Sequence, residues 1–131
     1  MHQIVKDIAA HLAKQREQSK KVRGDNDSYC SYRGDEGLMC AVGCLIPDEM
    51  YNVDLEGMSA AILLEGNPNI RLHIMDKYKE NDVRFVRRAL TAAQNFHDSY
   101  AYYNILHKGG NDTEKQLANR IASVIDSWIV K

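Results

Sequence analysis

The sequence predicts a mainly α chain: a compact helical domain with one small β-hairpin docked on it. Apolar residues recur at helical spacing near both ends of the 131 residues. Two short runs flank a Gly-bounded turn in the acidic middle, which is a hairpin pattern. The length suits a single domain, 1–131, large enough to hold a core without covalent staples.

The first helix is expected over about His2 to Lys20, where Ile4, Ile8 and Leu12 recur every fourth residue beside Val5 and Ala9. Gly24 follows a run of Lys14, Arg16, Lys20, Lys21 and Arg23 and is a natural stop. Cations suit the carboxyl end of a helix, so the run reads first as a solvated helix end and only second as a nucleic-acid contact.

The hairpin is expected from Tyr29-Cys30-Ser31-Tyr32-Arg33 and Leu38-Met39-Cys40 around Gly34-Asp35-Glu36-Gly37. Strands this short need helices to pack on. Cys40 to Ile46 has a buried character, and the small residues Ala41 and Gly43 would admit another backbone closely. Pro47, Asp48 and Glu49 suit the start of a helical turn.

Ser59 is placed to cap a short helix through Leu64 that ends at Gly66, and Ile70 to Lys79 is read as helical. Asp82 can cap a strong helix bearing Val83, Val86, Leu90, Ala93 and His97 on one face. Tyr100 to Asp112 is read as a tyrosine-rich connector. Asn111 and Glu114 have capping-box spacing before a last helix marked by Leu117, Ile121, Val124, Ile125 and Trp128.

The net charge of −1 hides a strong asymmetry. Residues 1–23 carry six Lys/Arg against two Asp/Glu, residues 24–66 one against nine, and residues 67–131 ten against seven. A polyanion-binding protein needs a clear basic excess, so nucleic acid is disfavoured as a partner. The acidic middle can face a basic partner or the chain's own basic ends. No apolar run approaches the roughly 20 residues needed to span a bilayer. The segment Met1 to Asp7 lacks the apolar core of a signal peptide, so the expected compartment is the cytoplasm, with reduced thiols.

Three constellations are candidates for chemistry. Cys30-x9-Cys40-x3-Cys44, with His97 as a fourth donor, offers a zinc set. It has no Cys-x2-Cys knuckle, and small buried thiols are common core residues, so neither metal nor cofactor is expected. A pocket of Tyr32, Arg33, Cys40, His97 and Asp98 would place a Cys nucleophile, a His base and an orienting carboxylate together. Against it, His97 and Asp98 are adjacent, and neighbouring helix positions do not face each other. The acidic and aromatic group Asp48, Glu49, Tyr51, Asp54 and Glu56 suits a protein-binding surface better than a metal site, because its spacing matches no calcium loop. Tyr100, Tyr102 and Tyr103 are read as packing at a helix end before base stacking.

The stretch from Cys30 to Tyr51 then carries a resemblance. Its pattern C-x-Y-R-x-x-x-G-L-x-C-A-V-G-x-L-I-P-D-E-x-Y, followed by Glu56-Gly57 and later by Leu90-x3-Gln94-x2-His97-Asp98, is similar to that of a family of small uncharacterised proteins of tailed-phage and bacterial genomes. The chain departs from the family at Cys44, where a small residue such as alanine is expected, and over Ser99 to Asp112. The resemblance carries no activity to transfer. It implies a phage-associated accessory protein that binds a host protein, a defence component among the options. The alternative is a small enzyme or ligand-binding protein centred on Tyr32, Arg33, Cys40 and His97. A homodimer through an exposed Trp128 stripe is a third option.

Overall fold

The computed structural model describes residues 1–23, 27–108 and 112–129, with 20–23, 27–30 and 108 described by backbone only. Six helices dominate them: α1 (Gln3–Gln15), α2 (Ala60–Gly66), α3 (Pro68–Lys77), α4 (Val83–His97), α5 (Tyr100–Lys108) and α6 (Glu114–Trp128). Two short strands, β1 (Lys20–Arg23) and β2 (Asp27–Cys30), pair antiparallel with Lys20 opposite Cys30 and Arg23 opposite Asp27. Four single 3₁₀ turns fill residues 35–55.

The core lies between α1, α4 and α6. The expected stripe of α1 is buried in full, with Ile4, Val5, Ile8, Ala9, Leu12 and Ala13 enclosed. It packs chiefly on α6, which contributes Leu117, Ile121, Ala122 and Ile125. From α4 come Val86, Ala89, Leu90, Ala93 and Phe96. Small α2 rests on α4, and α3 on α2. Tyr78 Oη, just past α3, donates to Asp7 Oδ2 at 2.7 Å and fastens that helix pair to α1.

Several ends follow the sequence. Asp82 accepts from the backbone N–H groups of Arg84 and Phe85, and Ser59 accepts from Ile62 N–H. Elsewhere the structure corrects the expectation. α1 stops at Gln15, where Arg16 takes a left-handed conformation at φ 56°, and β1 begins within the basic run rather than beyond it. Thr113 and Gln116 form the capping box of α6, and Asn111 lies outside the described residues. The expected connector after Ser99 is the helix α5, opened by Ser99 Oγ accepting from Ala101 N–H.

The hairpin expected over 29–40 is not formed. Only an isolated bridge joins Arg33 to Met39, and Asp35–Gly37 is a 3₁₀ turn. The cause lies in competing side chains. The N–H groups of Tyr32 and Arg33 donate to the Glu56 carboxylate at 2.9 and 3.1 Å. The amide of Gln15 takes both backbone groups of Met39, each at 2.9 Å. Backbone groups claimed in this way are lost to a ladder.

Candidate functional site

The last turn of α4 and the segment after β2 meet beside the core, and two hydrogen-bond networks grow from that meeting. The first centres on His97, whose ring is fully buried. Ser19 N–H donates to His97 Nε2 at 2.9 Å, so that nitrogen carries the lone pair. Nδ1 then carries the proton and donates to Asp98 Oδ1 at 2.6 Å. The same oxygen accepts from Gln94 Nε2 at 2.9 Å, while Gln94 Oε1 accepts from Val42 N–H at 3.2 Å. Gln18 Nε2 completes the set by donating to His97 O at 2.8 Å. The chain leaving α1 is thereby tied, through α4, to the irregular segment around Val42. Adjacent residues do not face each other within a helix, but Asp98 is the C-cap residue, and its carboxylate turns back onto the ring beside it.

The second network is a clasp around Arg33. Its guanidinium donates to Gly43 O at 2.5 Å, Ile46 O at 2.6 Å and Asp48 Oδ1 at 3.1 Å, and it lies 5.1 Å from the centre of the Tyr51 ring. Tyr51 Oη donates to Glu56 Oε2 at 2.6 Å, the carboxylate that already holds the Tyr32 and Arg33 backbone. Gly43 permits the closure, because a β-carbon there would lie 2.2 Å from the Tyr32 carbonyl oxygen. The close backbone approach expected at this glycine is thus made by Tyr32.

Between the two networks opens a cavity of about 450 Å³. Ser31 and Tyr32 form one wall, Glu56 to Ala61 a second, and Thr91, Gln94, Asn95 and Asp98 of the α4 end a third. Tyr32 Oη donates to Met58 O. Burial raises the Tyr32 phenol pKa, and the neighbouring Glu56 and Asp98 carboxylates raise it further. Ser31 is 4% exposed, and its Oγ has no hydrogen-bond partner among the described residues.

Of the five residues grouped in sequence as a pocket, Tyr32 and Asp98 line this cavity, and Arg33, Cys40 and His97 do not. Arg33 points into the clasp. Cys40 is enclosed, its Sγ accepts from Gly43 N–H at 3.2 Å, and burial pushes its thiol far up. Burial likewise pushes the Cys44 thiol up to about 12, and it donates to Ala41 O at 3.1 Å. Neither thiol is activated, and the His97 ring is spent on Ser19 and Asp98. For the zinc set, the Cys30 side chain lies outside the described residues. Among those described, no three His, Cys, Asp or Glu side chains come together as a metal site.

The acidic and aromatic group also divides. Asp48, Glu49 and Asp54 are exposed, whereas Tyr51 and Glu56 belong to the clasp. Sequence reasoning did not single out Ser31, Met58, Thr91 and Asn95 as wall residues, and no local pattern marks them. The tyrosines split as well. Tyr102 is buried, with its Oη donating to Leu12 O at 2.8 Å. Tyr100 and Tyr103 are 71% and 47% exposed and stack at 5.4 Å, and His107 continues the row at 4.2 Å from Tyr103. Trp128 is 39% exposed, with one edge against Phe96.

Among the described residues no helix is long and apolar enough to cross a membrane. Comparison of the chain with protein-family models, with curated proteins and with solved structures gave no match.

Proposed function

We propose that the chain is a small non-enzymatic accessory protein that acts by binding a protein partner. The observation that carries this reading is the exposed aromatic row Tyr100, Tyr103 and His107 on α5. Tyrosines carry a large rigid ring on few rotatable bonds and are favoured at protein interfaces. The segregated charge of the sequence adds an acidic surface at Asp48, Glu49 and Asp54 for a basic partner. The resemblance of the Cys30–Tyr51 segment to small tailed-phage proteins points to a phage-encoded chain working in the host cytoplasm on a host protein, with defence components the first to test.

The test is capture of partners from lysate of the natural host, with wild-type protein and with the Tyr100→Ser/Tyr103→Ser double variant in parallel. One near-stoichiometric protein, lost with the double variant, is the expected result. Equal capture by both proteins removes the aromatic row from the interface.

The alternative, a small enzyme or ligand-binding protein centred on Cys40, Tyr32, Arg33 and His97, divides in two. Its enzymatic half needs a reactive thiol, and Cys40 is enclosed. In a Cys30→Ser background, iodoacetamide at pH 8 should modify Cys40 only after denaturation. Rapid native alkylation of Cys40 would restore that half. Its ligand-binding half has the Tyr32–Asp98 cavity in its favour. Self-association through Trp128 is a separate matter, read by sedimentation.

A further inference from the structure

The outer side of α4 carries a groove that neither network uses. It is made of two joined depressions, of about 170 and 270 Å³, which share Ala61 of α2 and Arg87 of α4. Val83 stands at one end and Asn95 at the other. Between those two residues the helix rises about 18 Å, the reach of about five residues of extended chain.

Arginines set the charge of this groove. Among the described residues, Arg71, Arg87 and Arg88 stand in its walls against the one carboxylate of Glu65. Arg87 Nη1 lies 3.7 Å from Glu65 Oε1, and both side chains are well exposed, so water screens the pair. Arg71 donates to Leu64 O at 3.1 Å, a neutral acceptor that leaves its charge in force. Arg88 gives an independent sign. Its Nε–H is enclosed and finds no acceptor among the described residues. A buried donor without a partner is costly, and one on a groove wall marks a place where another molecule can supply the acceptor. Trp128, 39% exposed, adds an aromatic surface. Tryptophan and arginine are enriched among the residues that dominate binding energy at protein interfaces.

We propose that this groove binds a short acidic segment of the partner protein, with an aspartate or glutamate on Arg88 and a large apolar residue against Trp128. A carboxylate meets a guanidinium best along its Nε–Nη edge, through two parallel hydrogen bonds, and that edge includes the donor that Arg88 leaves unused. Arg88 is half-buried in the groove wall, and a small rotation of its side chain turns this edge outward. The excess of arginine charge favours an acidic occupant over a neutral or basic one. The identity of the occupant as a partner protein rests on the protein-binding reading; the carboxylate chemistry of the groove does not.

The experiment is a titration of the full ¹⁵N-labelled chain at low ionic strength with three probes: capped Leu-Glu-Glu-Leu, capped Leu-Gln-Gln-Leu and inorganic phosphate. Trp128 is the one tryptophan of the chain, so its indole N–H gives a single signal from the groove wall. The expected result with the glutamate peptide is a saturable shift of that signal and of the amides of residues 61–65 and 83–95. The glutamine peptide should bind about fivefold more weakly, the effect of one short-range charge pair in water. Thr91 is exposed, and Thr91→Glu sets a carboxylate one helical turn from Arg87 and Arg88, where it occupies them. That variant should weaken the glutamate peptide by about the same fivefold factor. Arg88→Gln should shrink the gap between the two peptides. No shift with the glutamate peptide, equal affinity for both peptides, or unchanged affinity in Thr91→Glu overturns the site. An undiminished gap in Arg88→Gln overturns Arg88 as the seat of the carboxylate. Phosphate binding as tight as that of the glutamate peptide overturns an acidic segment as the occupant. Partner capture from lysate is read separately. Capture that persists without peptide binding leaves the protein-binding reading standing and sinks the groove alone. Peptide binding without any captured partner does the reverse.

Discussion

The carbonyl oxygen of Tyr32 occupies the position that the side chain of residue 43 would need. A β-carbon on Gly43 would lie 2.2 Å from that oxygen and 2.9 Å from its carbon. Both contacts are with backbone, which cannot rotate away. Gly43→Ala therefore forces the Tyr32–Arg33 segment off the 40–46 turn and opens the clasp. The expected loss is about 2–4 kcal/mol, at the upper end for overpacking. A urea midpoint within experimental error of wild type would show that the two segments can separate freely.

Arg33 should tolerate no replacement by lysine. Its planar fork serves two carbonyl oxygens at once, Gly43 O and Ile46 O, and reaches Asp48 as well. Lysine keeps the charge but not the fork, and leaves a carbonyl without its donor. Arg33→Lys is expected to cost about 1–3 kcal/mol. Asp48→Asn should cost under about 0.5 kcal/mol, since that carboxylate is almost wholly solvated. Thermal unfolding of the pair separates the fork from the ion pair.

His97→Phe keeps an aromatic ring in the core but removes the acceptor of Ser19 N–H and the donor to Asp98. One buried N–H is then orphaned, at a cost of about 1–3 kcal/mol. Hydrogen exchange at the Ser19 amide is the sharper readout. It should be slow in wild type and speed up by more than the change in global stability accounts for. Unchanged protection would mean that the ring is not its acceptor.

Acid should destabilise the fold partly through His11. Burial lowers its pKa below the ordinary 6.5, and the hydrogen bond to Met39 O, at 2.9 Å, only partly opposes this. On acidification the unfolded chain protonates first, near pH 6.5, so it binds more protons than the folded chain. Stability therefore falls as pH drops below about 6.5, until the folded ring protonates as well. His11→Gln should lose stability less steeply between pH 7.5 and pH 5. An equal slope in both proteins would assign the acid sensitivity elsewhere.

The sequence made the core legible because helical periodicity is a local signal. Ile4, Ile8 and Leu12, or Leu117, Ile121 and Ile125, need only their own spacing to be recognised. Caps at Ser59 and Asp82 were legible for the same reason. The failures share a different cause. Residues 29–40 have a hairpin composition, but Glu56 and Gln15, distant in sequence, claim the backbone groups that strands would use. The pocket residues divided because exposure is decided by tertiary packing. Nothing near Cys40 says that its thiol faces inward, and nothing near His97 says that Ser19 will fill its second nitrogen. The helical spacing of Tyr102, Ile105 and Leu106 in α5 is present in the sequence but spans little more than one turn, among exposed tyrosines that give it no clean apolar face.

The packing of α1 against α6 also has a consequence in time. A chain is made from its amino end at roughly 5–20 residues per second. The apolar stripe of α1 leaves the ribosome well before the helix that chiefly covers it, which lies about a hundred residues later. For some 5–20 seconds of synthesis, on that rate, Ile4, Val5, Ile8 and Leu12 lack their main native cover. Nascent chains stalled before and after Glu114 should therefore differ sharply in chaperone association, with release following the emergence of α6.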